Sequence, residues 1–127
     1  MKESLSSENL ALEILKEIES AIIKIKDRTS YIQCADDFLL TPAGMEKLDA
    51  VCMQLIAIGE SLKNLDKVTN QTLLPTYPQI PWKKVKGLRD IIVHHYFDVD
   101  AEQIWWIIEK ELDPLLKAIT FFIKKYQ

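Results

Sequence analysis

Ten residues, LRDIIVHHYF from Leu88 to Phe97, place an arginine, an aspartate, two histidines and a tyrosine among aliphatic side chains. These types suit phosphoryl chemistry without a metal. Imidazole, with a reference pKa of about 6.5, both takes and gives protons near neutral pH, and a guanidinium neutralises charge gathering on phosphorus. Acting on RNA, one imidazole would take the 2′-hydroxyl proton, a protonated one would donate to the leaving oxygen, and the arginine would hold the phosphate. The same residues also occur on ordinary amphipathic helices, so their placement matters as much as their identity.

On a regular helix, at about 100° per residue, Trp82, Val85, Leu88, Ile92 and Tyr96 fall on one side and form the core-facing stripe. Lys83, Gly87, Asp90 and His94 fall opposite, Arg89 and His95 lie at the margins, and Tyr96 sits nearly above Arg89. His94 therefore points away from the core, whereas His95 reads as a structural residue. Asp90, one turn before His94, is within reach of its imidazole; an ionised Asp90 would fix the ring's tautomer and favour its protonated form. Arg89 is about 140° round the helix from His94, so one helix does not converge them on a phosphate. A second copy packed across Gly87 and His94 would, each protomer completing the other's site.

The elements that position this helix read from periodicity. Leu10, Ile14, Ile18, Ala21, Ile22 and Ile25 trace an amphipathic helix that starts after Ser6-Ser7 and fades near Thr29-Ser30. Tyr31 to Leu40 has room for a short helical turn, and Thr41-Pro42 reads as N-cap and first turn of the next helix. Leu48, Val51, Cys52, Leu55, Ile58, Leu62 and Leu65 then form one long stripe. Gly59 interrupts it at a cost of about 1 kcal/mol relative to alanine, which suggests that another backbone passes close by.

Between Asp66 and Pro81 the pattern stops, and three prolines predict an extended surface link. The helix from Trp82 is expected to end near Phe97, with Asp98 and Asp100 as turn and cap and Gln103 placed as in a capping box. Ile104, Trp105, Ile108, Leu112, Leu115, Ile119, Phe122, Ile123 and Tyr126 make the last helix, with a kink or restart at Asp113-Pro114. No stretch alternates with period two. The fold class is all-α: an antiparallel four-helix bundle with a short extra helix, in a single domain over residues 1–127.

Composition narrows the function classes. With 28% charged residues, 48% hydrophobic residues and only three glycines, neither a disordered nor a repeat-type chain fits. The apolar runs are far shorter than the roughly 20 residues that cross a bilayer, and no basic-then-apolar leader is visible, so a cytoplasmic location without a membrane partner is expected. Cys34 and Cys52 lack metal-ligand spacing and read as reduced packing residues. A net charge of −3 opposes broad affinity for nucleic acid, although Lys83, Lys84, Lys86 and Arg89 form a local basic window.

The stretch GLRDIIVHHYFDVD, Gly87 to Asp100, resembles the signature of HepT-like proteins of the HEPN superfamily, Arg-x-x-x-x-His-x-Tyr, read here as Arg89, His94 and Tyr96. Ile58-Gly59-Glu60, YPQIPW and Ile104-Trp105 with Leu112 and Pro114 are similar to further family elements, so the likeness runs from about Phe38 to the end. The resemblance implies a homodimeric helical bundle acting as the toxin of a type VII-like toxin-antitoxin pair. It implies metal-independent RNA cleavage with Arg89 and His94 catalytic at the dimer cleft, Asp90 and Tyr96 supporting, and no cofactor. It also implies an MntA-like nucleotidyltransferase antitoxin that transfers AMP to Tyr96, whose added charge and bulk beside Arg89 would occupy the place of RNA phosphate. The family often has asparagine after the arginine; Asp90 departs from this, and a carboxylate there repels phosphate.

Two other readings stand beside the ribonuclease. One is a non-catalytic partner that docks the nucleotidyltransferase and accepts AMP or presents substrate to it. The other is a structural helical dimer whose motif residues make only interface hydrogen bonds. Trp105 and Trp106 need no cofactor to explain them, since aromatic residues at helical spacing usually pack in a core or an interface.

Overall fold

A heptad-like seam of Ala11, Leu15, Ile18, Ile22 and Ile25 organises the first helix, α1 (Lys2–Arg28), between two others. The computed structural model describes the backbone of residues 2–94 and 99–127 and the side chains of 7–94 and 99–127. The seam differs from the expected stripe: Leu10 is exposed and Ile14 half-buried. The reason is that α1 must face two partners at once. It packs on α3 (Pro42–Val68) and on α7 (Leu112–Tyr126), and the alternating 4, 3, 4, 3 spacing of its buried residues keeps one seam toward both.

Directions follow from contacts at the ends. Lys26, near the end of α1, pairs with Asp113 at the start of α7. At the other end, burial and then the charge of Glu8 raise the Tyr126 phenol above its ordinary range, so the tail of α7 lies beside the head of α1. Ser7 and Glu8 also share a surface depression with Val68 and Thr69. Thus α1 is antiparallel to both α3 and α7.

Local chemistry sets the element boundaries. A short helix α2 (Asp36–Leu39) precedes α3, and Thr41 caps α3 by accepting from the Gly44 N–H at 2.9 Å, with Pro42 in the first turn. Gly44 is required: a Cβ there would collide with the main-chain oxygen of Asp37 and stand 2.9 Å from that of Phe38. Every residue of the expected α3 stripe is buried.

The link from Asp66 to Pro81 is not the extended surface segment that its prolines suggest. Asn70 and Gln71 turn it with φ of 54° and 58°, and a 3₁₀ turn follows at Leu74–Thr76. Leu73, Leu74 and Ile80 are buried, and the Trp82 indole N–H donates to the Tyr77 carbonyl at 2.8 Å. Apolar side chains between the prolines dock the link onto the core.

The helix expected to run unbroken from Trp82 is divided into α4 (Trp82–Lys86) and α5 (Leu88–His94), with Gly87 as the junction. Trp82, Val85, Leu88 and Ile92 are buried, as the stripe predicts. The expected end near Phe97, together with His95, Tyr96 and Asp98, lies outside the described residues. Asp100 caps α6 (Ala101–Trp106) by accepting from the Glu102 and Gln103 N–H groups at 3.0 and 3.2 Å. The break expected at Asp113-Pro114 is displaced one turn upstream, to a π segment at Ile107–Glu111. Pro114 supplies no N–H to the Lys110 carbonyl and its ring crowds it, so the chain widens before the proline. The described residues are helical without strands, which makes the protein all-α, and no described helix is long and apolar enough to cross a membrane.

The two cysteines divide rather than share a packing role. Cys52 is buried on α3, where desolvation and then Asp49 push its thiol up to about 11, whereas Cys34 is exposed. At pH 8 only about a thousandth of a thiol with such a pKa is thiolate, the reactive form. Iodoacetamide is therefore expected to alkylate Cys34 and spare Cys52 in the folded protein, as read by peptide mass mapping. Gly44→Ala is expected to destabilise the fold by about 1–3 kcal/mol, the scale of overpacking, measured by urea unfolding.

Candidate active site on helix α5

The approach of α4 and α5 to α3 begins at Gly59. A Cβ on Gly59 would stand 3.2 Å from the Val85 carbonyl and 3.4 Å from that of Lys86, so the backbone at the end of α4 lies directly on α3, as the glycine predicts. Two ion pairs flank this contact. Lys86 Nζ meets Asp66 Oδ2 at 2.5 Å with both groups largely buried, and Arg89 Nη1 meets Glu60 Oε1 at 3.5 Å nearer the surface. Glu60 also receives Lys63 Nζ at 3.4 Å.

These pairs change the reading of the basic window. Lys86 and Arg89 are both answered by α3 carboxylates, so its exposed basic groups without an ion pair among the described residues are Lys83 and Lys84. Sequence reasoning noted Gly59 and Glu60 side by side but missed that Glu60 partners Arg89. The available signal was the glycine: a backbone admitted at position 59 brings its own side chains, one turn later, over the neighbouring residue of α3.

Arg89, Asp90 and His94 are all exposed on α5, while Leu88 and Ile92 anchor it. His94 thus faces away from the core, as its helical position requires. The ring is held differently from expectation: Nδ1 lies 2.8 Å from the main-chain carbonyl of Asp90, and the Asp90 carboxylate makes no hydrogen bond to it. Helical side chains lean toward the preceding turn, which carries the ring nitrogen nearest the backbone to the carbonyl. A carbonyl only accepts, so Nδ1 carries the proton and the lone pair of a neutral ring sits on Nε2, directed away from the helix. That nitrogen is the one able to exchange a proton with a bound substrate.

Within the chain Arg89 turns to Glu60 and His94 to its own backbone; no hydrogen bond joins the two. Ile91 and Val93, 37% and 48% exposed, border the face that carries Asp90 and His94, so polar and apolar groups alternate across an outer surface that no described residue of the chain covers. Tyr96, the third motif residue and the expected modification site, lies outside the described residues, as does His95.

Residues 18–121 match the family described as ribonuclease HepT-like, and the chain belongs to that family. The match reaches further into α1 than the motifs quoted from Phe38 onward. The chain is similar to a protein of Thermococcus cleftensis named probable ribonuclease HepT, 33% identical over 104 residues that cover 82% of this chain and 86% of the relative. It is also similar to a provisionally named RNase of Caldanaerobacter subterraneus subsp. tengcongensis, 33% identical over 112 residues, 88% of this chain and 89% of the relative. A provisionally named RNase of Methanocaldococcus jannaschii is 40% identical over 75 residues, a stretch spanning 59% of each chain. No solved structure matches. The enzyme class that these relatives and the family define is ribonuclease, in agreement with the resemblance read from the motif.

The two ion pairs are expected to separate in energy. Asp66→Ala strands a largely buried ammonium and is expected to cost about 1–3 kcal/mol. Glu60→Gln, at a surface pair, is expected to cost under about 1 kcal/mol. Chemical denaturation of both variants checks the order.

Proposed function

We propose that the protein is a metal-independent endoribonuclease toxin whose active site is completed at a two-fold cleft between α5 helices. Arg89 binds the scissile phosphate and His94 moves the proton. The observation that carries this reading is the exposure of both motif residues on the outer side of α5, with the His94 ring already oriented and Nε2 presented outward. The surface pair between Arg89 and Glu60 contributes at most about 1 kcal/mol, so an RNA phosphate can displace the carboxylate at little cost.

A second copy of the chain supplies what one helix lacks. Packing across Gly87 and His94 covers Ile91 and Val93 and sets the arginine of one protomer toward the histidine of the other. The imidazole as base takes the 2′-hydroxyl proton, the oxygen attacks phosphorus, and the second imidazole, protonated, donates to the departing 5′-oxygen. Arginine offsets the charge on the pentavalent phosphorus. In this reading the protein works in the cytoplasm. An MntA-like nucleotidyltransferase silences it by transferring AMP to Tyr96, and the added phosphate takes the place beside Arg89.

One observation favours the non-catalytic alternative, a partner that docks the nucleotidyltransferase. Asp90 is exposed on the same face as His94, and its carboxylate is not consumed in holding the ring. It repels an incoming phosphate and slows any cleavage.

RNA is expected to be cut by the purified protein in excess EDTA, and His94→Ala and Arg89→Ala are each expected to lower the rate about 10²–10⁴-fold with helicity unchanged. Mixing wild-type protein with an excess of His94→Ala is expected to lower activity below the wild-type protein's own share, because a hybrid dimer holds one imidazole where the cleft uses two; activity that follows the amount of wild-type protein alone would sink the shared cleft. Asp90→Asn is expected to raise the cleavage rate and to leave the His94 ring in place. If RNA survives the wild-type protein while the coexpressed nucleotidyltransferase adds AMP to Tyr96, the docking reading holds.

A further inference from the structure

An apolar cavity of about 220 Å³ lies between α3, the segment leading into α4, the α4–α5 junction and the π segment. Leu55 and Ile58 of α3 form one wall, Val85 and Leu88 on either side of Gly87 form the second, and Ile107 and Leu115 close the third. Close-packed interiors retain few voids larger than a water molecule, and an apolar cavity of about 150 Å³ is enough to hold benzene. The π segment upstream of Pro114 borders the cavity through Ile107, Lys110 and Glu111, and the backbone contact at Gly59 keeps α4 from moving closer to α3.

We propose that this cavity is a binding site for a small uncharged molecule consisting of one aromatic or alicyclic ring with a single hydrogen-bonding substituent. The volume accommodates one ring and excludes a helix or an extended peptide. The aliphatic walls offer dispersion contact on every side of the ring. Of the polar residues in the lining, Gln79 and Lys110 are exposed and Glu111 is half-buried, so an amide and two opposite charges lie on its solvent side. That set satisfies a hydroxyl or amide and favours neither an anion nor a cation, so a neutral substituent fits it.

Methyl-resolved NMR of the full chain, titrated with benzyl alcohol, tests this. Saturable intermolecular NOEs are expected from the probe to the methyl groups of Leu55, Ile58, Val85 and Leu88, with none to Leu15 or Ile22 in the α1 seam. Benzoate and benzylammonium are expected to bind more weakly than the alcohol. Leu115→Phe, which fills the void, is expected to weaken binding roughly tenfold or more, the scale set by a methylene of misfit in an apolar pocket. Val85→Ile, a smaller filling change, provides the same reading should Leu115→Phe fold poorly. Absent NOEs, NOEs to the α1 seam, tighter binding of either ion, or unchanged affinity in both filled variants would overturn the site. So would interchain NOEs showing that a second copy occupies the mouth.

Discussion

The arrangement of this protein depends on a main-chain contact without a side chain in it. At Gly59 the carbonyls of Val85 and Lys86 reach α3 at a distance that a methyl group would obstruct. A glycine in mid-helix sacrifices helix stability, and the return is positional: the root of α5 is set against α3 within a few tenths of an ångström. Both flanking ion pairs follow from it. Lys86 falls on Asp66 and Arg89 on Glu60 because the glycine lets the backbone that carries them lie this close to α3.

Those pairs differ in burial and therefore in strength. The largely buried Lys86–Asp66 pair locks α4 in place, since separating it would leave a charge with little water. The exposed Arg89–Glu60 pair is weak by the same reasoning and can exchange its carboxylate for another oxyanion. One stretch of basic residues thus contains a structural lysine, a displaceable arginine and two solvent-facing lysines, and only burial tells them apart.

His94 illustrates orientation without a dedicated partner. Its ring is aligned by a main-chain carbonyl of its own helix, a group present whatever residue occupies position 90. The carboxylate of Asp90 is therefore not needed to hold the ring and stands exposed on the same face. On the opposite side of α5, Leu88 and Ile92 bind the helix to the core, so its outer surface is held rigidly while carrying Ile91 and Val93 into solvent.

The amino-acid sequence by itself determined the all-α class, the α3 stripe, the Thr41 and Asp100 caps, the close approach at Gly59 and the outward direction of His94. Each depends on spacing along one helix or on the chemistry of one turn, and such local rules act within a few residues. The motif Arg89, His94 and Tyr96 likewise pointed to the ribonuclease HepT-like family from its own linear pattern. The tertiary structure alone decided that α1 uses the Ala11–Leu15 seam, that the proline-rich link is docked, that the break before Pro114 becomes a π segment and that Glu60 and Asp66 pair with Arg89 and Lys86 of the basic window while Lys83 and Lys84 stay exposed. These outcomes depend on which distant segment arrives at a given face and how closely it can approach, and periodicity within one helix carries no record of its neighbour.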